Sequence, residues 1–264
     1  MNIACGIEYD GTDYHGFQRQ PDAHGPTVQG VLEAAIQRIS GTPAGVNGAG
    51  RTDAGVHASG QVISFKTPAT HSMQVWQRAL NAVLPESVAV QWVREMPERF
   101  HARFSARSRS YCYTVWNGHA PRPLLARYSY HRFQPLDETK MQAACEQLLG
   151  RKDFAAFGRS PDEAKRSSPQ SCVRTLFEAR CVRERSLLSY HFTADGFLTG
   201  MVRRMVGTLL LVGQGQLDLN EFATIVQRAE KTHPGSAAPP HGLCLVRVGY
   251  PENFGVTEEH GKDI

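Results

Sequence analysis

Several features that would assign a chain to a particular class are missing from this sequence. No apolar run reaches the roughly eighteen residues that span a bilayer, so we expect no membrane anchor. The six cysteines are scattered and include no Cys-x-x-Cys pair, which favours free thiols in a reducing cytosol over a zinc site. No His-x-x-x-His pair and no loop ending in Gly-Lys-Ser/Thr occurs, so we expect neither a metal nor a nucleotide cofactor. The first residues lead directly into a strand-like segment without the pattern of a signal peptide, and we therefore expect a cytoplasmic protein.

Acidic residues are also missing from residues 99–109, which contain four arginines and one histidine. The net charge of the whole chain is only +4, so the excess of positive charge in residues 99–109 is largely balanced by acidic residues elsewhere in the chain. The further basic positions downstream are Arg122, Arg127, Arg132, Arg159, Lys165, Arg166 and Arg174. A polyanionic partner fits this distribution, and so does a solvated basic face without any partner.

Hydrophobic periodicity predicts the elements of the first half. Alternating apolar residues predict a strand over residues 2–9, and Thr27 is positioned to cap a helix that ends at Ser40-Gly41. A strand over 61–66, a helix capped by Ser72 and a strand starting at Val88 follow. The resulting order β-α-β-β-α-β is typical of a split βαβ unit.

The second half repeats this mixture of strands and helices without any repeat in sequence. Its predicted elements are a strand from Tyr111, a helix capped by Asp137, a surface loop over 158–172, a hairpin of residues 173–183 and 187–193, a buried helix over 197–212, a helix with an Asp218/Glu221 capping box, and a strand over 243–250. We therefore predict an α+β fold, with helices on one face of a largely antiparallel sheet. We divide the chain into an N-terminal half, residues 1–104, and a C-terminal half, residues 105–264.

Residues 48–62 carry four glycines together with Arg51, Asp53 and His57. No apolar period of 2 or 3.6 runs through this stretch, which predicts a loop. Glycines at this density allow the backbone to approach a ligand closely, and a carboxylate in such a loop beside a strand is well placed for chemistry. The residues alone leave open a second interpretation, in which Asp53 only bonds nearby backbone N–H groups in a turn.

The eight residues 50–57, Gly-Arg-Thr-Asp-Ala-Gly-Val-His, resemble the catalytic signature of the tRNA pseudouridine synthase I family. Members of that family isomerise uridine in the anticodon stem-loop of tRNA, at positions numbered 38 to 40. The resemblance implies that Asp53 is the catalytic carboxylate and that Arg51 holds the target nucleotide out of the stem. A structural role for Arg51, tying down the loop, is the alternative.

The resemblance extends to further motifs between about residue 3 and about residue 251. It implies that Tyr111, at the head of the Tyr-x-Tyr strand, stacks on the target uracil, and that Arg203 in the Met-Val-Arg segment forms a salt bridge with Asp53. An arginine inside an apolar helix also requires a partner on physical grounds, because an unpaired buried charge is costly. For Tyr111 the residues alone favour a core tyrosine with its hydroxyl at the rim.

Three shorter segments complete the resemblance. Leu243 and Leu245 match a Gly-Leu-x-Leu segment that lines the uracil pocket, while His101, Arg103 and Gln18 match segments that face tRNA. The chain departs from the family pattern at Thr199-Gly200, where larger or polar residues are frequent, and at Arg204, where Asn is usual.

The resemblance as a whole implies a tRNA pseudouridine synthase with two similar RRM-like, ferredoxin-like halves, an active-site cleft between them, no cofactor, and a homodimer spanned by tRNA. Two other classes are weighed against it. A non-catalytic RNA-binding module with an RRM-like sheet accounts for the basic segments but not for an aspartate in a glycine loop with an arginine two residues away. A phosphotransferase accounts for the glycines, but the expected lysine is missing.

Overall fold

The computed structural model describes residues 1–20, 25–158, 172–229 and 235–256. These residues form an α+β structure with ten strands and five α-helices, divided into two compact units. The first unit comprises residues 1–109 and the chain from Cys244 onward, and the second comprises residues 110–243. None of the helices in the described ranges has the length and apolar character of a membrane-spanning segment.

The first unit contains five strands and two helices. In chain order they are β1 (Asn2–Tyr9), α1 (Val28–Ser40), β2 (Asn47–Gly48), β3 (His57–Lys66), α2 (Met73–Val83), β4 (Val88–Met96) and β10 (Leu243–Gly249), of which β10 has its first residue in the other unit. The strand order is β4-β1-β3-β10, with β2 added to β3. Strand β1 is antiparallel to both β3 and β4, whereas β10 is parallel to β3.

The helices of this unit begin and end where side chains satisfy the free backbone groups. The hydroxyl of Thr27 accepts the Gly30 N–H at the start of α1, and Gly41 closes the helix in the left-handed conformation. Ser72 caps α2 by accepting the Val75 N–H. Helix α2 buries Trp76, whose ring meets Phe65 edge to face at 5.5 Å, so the helix is fixed on the sheet by an aromatic pair.

The second unit contains the other strands and three helices. They are β5 (Ser108–Trp116), β6 (Tyr130–His131), α3 (Glu138–Leu148), β7 (Gly150–Asp153), β8 (Val173–Glu184), β9 (Leu187–Ala194), α4 (Met201–Gly213) and α5 (Leu219–Arg228), with the first two residues of β5 in the other unit. The strands are ordered β5-β9-β8-β7, and β6 adds to β5 in parallel. Helix α3 packs against β8, α4 and α5. The capping box of Asp218 and Glu221 forms at the start of α5.

The predicted α+β class is confirmed, and three details differ from the sequence predictions. Residues 48–62 are not one loop, because β2 ends at Gly48 and β3 begins at His57. The apolar helix begins at Met201 rather than 197, because Gly200 takes a left-handed conformation with φ 70°. Residues 105–109 and the chain from Cys244 belong to the first unit, whereas we predicted a single boundary after 104. The predicted surface loop 158–172 lies outside the described residues for all but its two end positions.

Candidate active site

The loop that carries Asp53 connects β2 to β3 in the first unit. Arg51 is exposed at its surface, Asp53 is half-buried, and Thr52 between them is buried. A turn closes the loop, with the Val56 N–H donating to the Asp53 carbonyl at 3.2 Å. Arginine and carboxylate are thus presented two positions apart on one short segment.

Buried side chains hold the backbone on both sides of Arg51. The Gln61 side chain of β3 is fully buried and forms two hydrogen bonds with Gly50. It accepts the Gly50 N–H at 3.2 Å and donates to the Gly50 carbonyl at 2.6 Å. The Thr52 hydroxyl lies 2.8 Å from the Tyr9 hydroxyl of β1. Burial raises the pKa of Tyr9 well above its usual range, which keeps this phenol neutral.

The polar segment after β1 packs against the other side of the loop. The Phe17 N–H donates to the Thr52 carbonyl at 3.0 Å, and the Gly55 N–H donates to the Tyr14 carbonyl at 3.2 Å. Gly16 has φ 90°, and a Cβ there would lie 2.8 Å from the Thr52 carbonyl oxygen. This approach requires a glycine, so residues 14–17 form one wall of the loop.

His57, the last residue of the motif, connects the loop to the same N-terminal segment. Its Nδ1 accepts the Gly11 N–H at 3.1 Å, and the Asp10 carboxylate lies 3.1 Å from the same nitrogen. The bond with Gly11 requires an unprotonated Nδ1, whereas a bond with Asp10 requires a proton there. The imidazole is buried, so His57 holds the N-terminal segment against the start of β3 rather than facing solvent.

The basic segment 99–109 contains both inward-facing and exposed side chains. Arg109 donates to the Ala49 carbonyl at 2.9 and 3.1 Å and to the Arg103 carbonyl at 2.6 Å, so it braces the start of the loop. His101 accepts the Arg103 N–H at 3.1 Å through Nδ1, and burial lowers its pKa. Arg103 itself is exposed, and its guanidinium lies 5.6 Å from the exposed ring of Phe104. Of the three residues predicted to face tRNA, Arg103 is exposed, whereas His101 and Gln18 are half-buried.

Arg203 lies in α4 of the second unit and is half-buried. Its Nε donates to the Ala238 carbonyl at 2.7 Å, and its own carbonyl accepts the Ala238 N–H at 2.9 Å. Gly207, one turn later, allows this segment to lie on the helix, because a Cβ there would be 1.9 Å from the Ser236 carbonyl oxygen. One of the five guanidinium donors is therefore used for anchoring, and the pairing with Asp53 stays a prediction.

The two departures from the family pattern are coupled in the structure. Arg204 folds back so that its Nη1 lies 3.2 Å from the Thr199 carbonyl, and a Cβ on Gly200 would lie 2.6 Å from that nitrogen. The glycine therefore makes room for the arginine at the start of α4.

The remaining predicted site residues are placed as follows. Tyr111 is buried and meets Phe197 edge to face at 5.1 Å within the second unit. Leu243 and Leu245 are both buried, and Leu245 is paired with Ala58 of β3. Gln18 is half-buried in the N-terminal segment. The burial of Tyr111 and of the two leucines fits a core role and a pocket-lining role alike, so their roles stay predictions.

Sequence reasoning missed four residues that build the loop's surroundings. They are Tyr9, Gly16, Gln61 and Arg109. Of these four, only Gln61 could have been identified from the sequence, because it lies on the same face of β3 as the apolar residues Ile63 and Phe65. A glutamine at such a position predicts a specific polar partner, since burying an unbonded amide is costly.

Comparison with known proteins assigns the chain to a class of enzyme. Residues 6–105 and 144–251 match the family model for tRNA pseudouridine synthase. The chain is 43% identical to tRNA pseudouridine synthase A of Roseiflexus sp. (strain RS-1) over 256 residues, which cover 96% of this chain and 92% of the relative. It is 40% identical over 255 residues to the protein of that name from Shewanella sp. (strain W3-18-1), covering 96% and 95% of the two chains. The corresponding match in Bordetella avium (strain 197N) is 40% over 261 residues, covering 98% and 95%.

A solved Cbf5-Nop10-Gar1 complex also matches, with a TM-score of 0.31 and 14% identity over 79% of this chain and 45% of the other, a similarity too low to add to the assignment. The pseudouridine synthases as a class are isomerases that act on uridine. This chain belongs to the tRNA pseudouridine synthase family.

Proposed function

We propose that this protein converts uridine to pseudouridine at positions 38 to 40 of the tRNA anticodon stem-loop, with Asp53 as the catalytic carboxylate. The observation that carries the proposal is the Asp53 loop. It matches the family signature without a gap, and its backbone is bonded on both sides of Arg51. A non-catalytic RNA-binding module would give no reason for hydrogen bonds that fix the backbone next to a carboxylate and an exposed guanidinium.

The chemistry explains why a carboxylate suffices. The C1′–N1 bond breaks, the uracil turns, a C1′–C5 bond forms, the C5 proton leaves and N1 gains a proton, so the product is an isomer and no redox partner is consumed. A carboxylate serves by attacking C1′, by attacking C6, or by removing a ribose proton. Arg51 is proposed to occupy the space left by the extracted nucleotide, because unstacking a base costs a few kcal/mol and a guanidinium bonds phosphate and stacks well.

Asp53→Asn tests the proposal directly. The variant keeps the shape of the side chain but removes the charge, so we expect pseudouridine formation to fall by at least about a thousandfold, as for other essential catalytic groups. The fold and the affinity for tRNA should be retained. Glu95→Gln, which removes an exposed carboxylate from β4 of the same unit, is the matched control and should leave activity unchanged. Pseudouridine is mapped in tRNA transcripts by sequencing after treatment with each purified protein; substantial product from Asp53→Asn would contradict the assignment.

We further propose a cytoplasmic homodimer with tRNA spanning both subunits. Support comes from the family resemblance, and from the acid-free segment 99–109, which presents Arg103 at the surface of each copy. Sedimentation of the protein alone and with tRNA measures the stoichiometry, and a monomer bound to one tRNA would contradict the dimer.

A further inference from the structure

Gln61 is a fully buried glutamine beside the Asp53 loop, and its hydrogen bonds explain why a polar side chain is buried there. Gln61 has no exposed surface, and an apolar side chain of similar size would fill its position without a desolvation cost. Both functional atoms of its carboxamide bond to Gly50, the residue immediately before Arg51. The side chain therefore acts like a strand partner for one residue of the loop, because it bonds both the N–H and the carbonyl of Gly50.

The residue immediately after Arg51 is held in a similar way. Thr52 is buried, its hydroxyl lies 2.8 Å from the Tyr9 hydroxyl, and its carbonyl accepts the Phe17 N–H at 3.0 Å. Burial raises the pKa of Tyr9, and the side chains of Thr52 and Gln61 both act to lower it, so Gln61 also lies close to the Tyr9 hydroxyl. These three side chains, which we term the loop mount (Tyr9, Thr52 and Gln61), connect β1, β3 and the loop in one buried network.

The loop mount leaves one residue on each side of Thr52 to face outward. Arg51 is exposed and Asp53 is half-buried, while Gly50 and Thr52 are fixed. Fixing the peptide units around a functional side chain sets its direction before the substrate arrives, which is how enzymes convert binding into rate. A network that served stability alone would have no reason to end on these two backbone positions.

We propose that Tyr9, Thr52 and Gln61 are positioning residues for pseudouridine formation, which act by setting the direction of Arg51 and Asp53 and do not touch the substrate. The inference rests on the proposed function of Asp53. It predicts that loss of a single hydroxyl from the loop mount slows the chemical step and leaves tRNA binding unchanged.

The test compares Thr52→Val, which keeps the shape and removes the hydroxyl, with Thr52→Ser, which keeps the hydroxyl. The single-turnover rate on a tRNA transcript should fall by about ten- to a hundredfold in Thr52→Val, since small misplacements near the chemistry have effects of this order. The Kd for tRNA should stay within about twofold, and Thr52→Ser should regain most of the rate because the bond to Tyr9 is restored.

Ile3→Val on β1 is the control for a merely structural effect. Ile3 is fully buried in the same unit but lies outside the loop mount, so this variant should lower Tm without changing the single-turnover rate. Tyr9→Phe removes the other partner of the shared hydroxyl bond. Its combination with Thr52→Val should therefore lose less than the product of the two single effects.

Three results would overturn the proposal. They are a Thr52→Val rate within about twofold of the parent chain, a rate loss equal to that of Ile3→Val at the same loss of Tm, or weaker tRNA binding with an unchanged rate. If Thr52→Val does not fold, Tyr9→Phe carries the same comparison alone. A parent chain that forms no pseudouridine at positions 38 to 40 would refute the proposed function instead, so the two failures are distinguishable.

Discussion

Gly16→Ala is expected to impair catalysis by displacing the Asp53 loop while the protein stays folded. Gly16 lies in the N-terminal segment with φ 90°, a conformation that L side chains avoid. An added Cβ would lie 2.8 Å from the Thr52 carbonyl oxygen and 3.3 Å from the Ala54 nitrogen. Both atoms belong to the backbone on either side of Asp53, so neither moves without moving that residue.

The size of the effect follows from this geometry. The left-handed backbone costs alanine ~1–2 kcal/mol, and forcing an atom into a packed site costs ~1–3 kcal/mol more. A domain with the usual stability of ~5–15 kcal/mol survives this loss. Relief of the contact requires the Thr52 carbonyl to move away by roughly 0.7 Å, because ordinary separations are about 3.5 Å or more. Since a misplacement of about 1 Å can cost a hundredfold in rate, we expect kcat to fall about tenfold.

Gly41→Ala provides the matched control. Gly41 ends α1 in the left-handed conformation with φ 73°, but an added Cβ would meet nothing within 4 Å. It therefore carries the same backbone strain without the steric contact, and we expect a lower Tm with full activity.

Tritium release from tRNA labelled at uracil C5 measures kcat for both variants, and thermal unfolding measures their stability. If Gly16→Ala keeps the parental kcat, then the loop is not held by the N-terminal segment and the reasoning fails. If Gly41→Ala loses as much activity as Gly16→Ala, the effect is one of general stability and not of loop position.

Three further predictions concern the basic segment and α4. Contacts with phosphate groups release counterions, so the double variant Arg103→Ala/Arg107→Ala should bind many tRNAs more weakly and show a smaller dependence of Kd on salt concentration. Filter binding measures both quantities. An unchanged salt dependence would place the RNA on another surface. Burial lowers the pKa of His101 below 6.5, so its contribution to stability is present above about pH 6.5 and is lost as the pH falls through the lowered pKa. The dependence of Tm on pH over this range should therefore be weaker in His101→Asn than in the parent chain. The same dependence in both proteins would contradict this prediction. Arg203→Met should lower kcat, because the family resemblance pairs this guanidinium with the Asp53 carboxylate and the substitution removes the positive charge. Arg204→Met, which loses bonds to backbone carbonyls such as that of Thr199, should leave kcat unchanged.

Local signals in the sequence were sufficient for most elements. The caps at Thr27, Ser72, Asp137 and Asp218 form as predicted, because a side-chain oxygen followed by an amphipathic stripe acts within one helical turn. The hairpin of β8 and β9 likewise forms around the predicted residues, with Arg185 at φ 58° in the turn. These features depend on residues close in sequence, which is why pattern and propensity predict them.

The start of β3 was missed for the opposite reason. Residues 57–60 are His-Ala-Ser-Gly, without apolar alternation, and they become a strand through their partners. Ala58 pairs with Tyr9 of β1, and His57 pairs with Cys244 of β10. Strand formation here is decided by tertiary pairing over long sequence distances, which overrides local preference.

The position of β10 is the clearest case of such pairing, and it bears on the candidate site. Its Gly-Leu-x-Leu segment looks like an ordinary core strand in the sequence, and the predicted division assigned it to the second half. In the structure Leu245 is fully buried and lies opposite Ala58, just after the Asp53 loop ends. Gly60 permits the contact between the two strands, because a Cβ there would lie 2.1 Å from the Val246 carbonyl oxygen. The residues of β3 nearest to the loop are therefore packed by a segment almost two hundred positions away along the chain, in addition to the contacts that Tyr9, Gln61 and the N-terminal segment make with the loop itself.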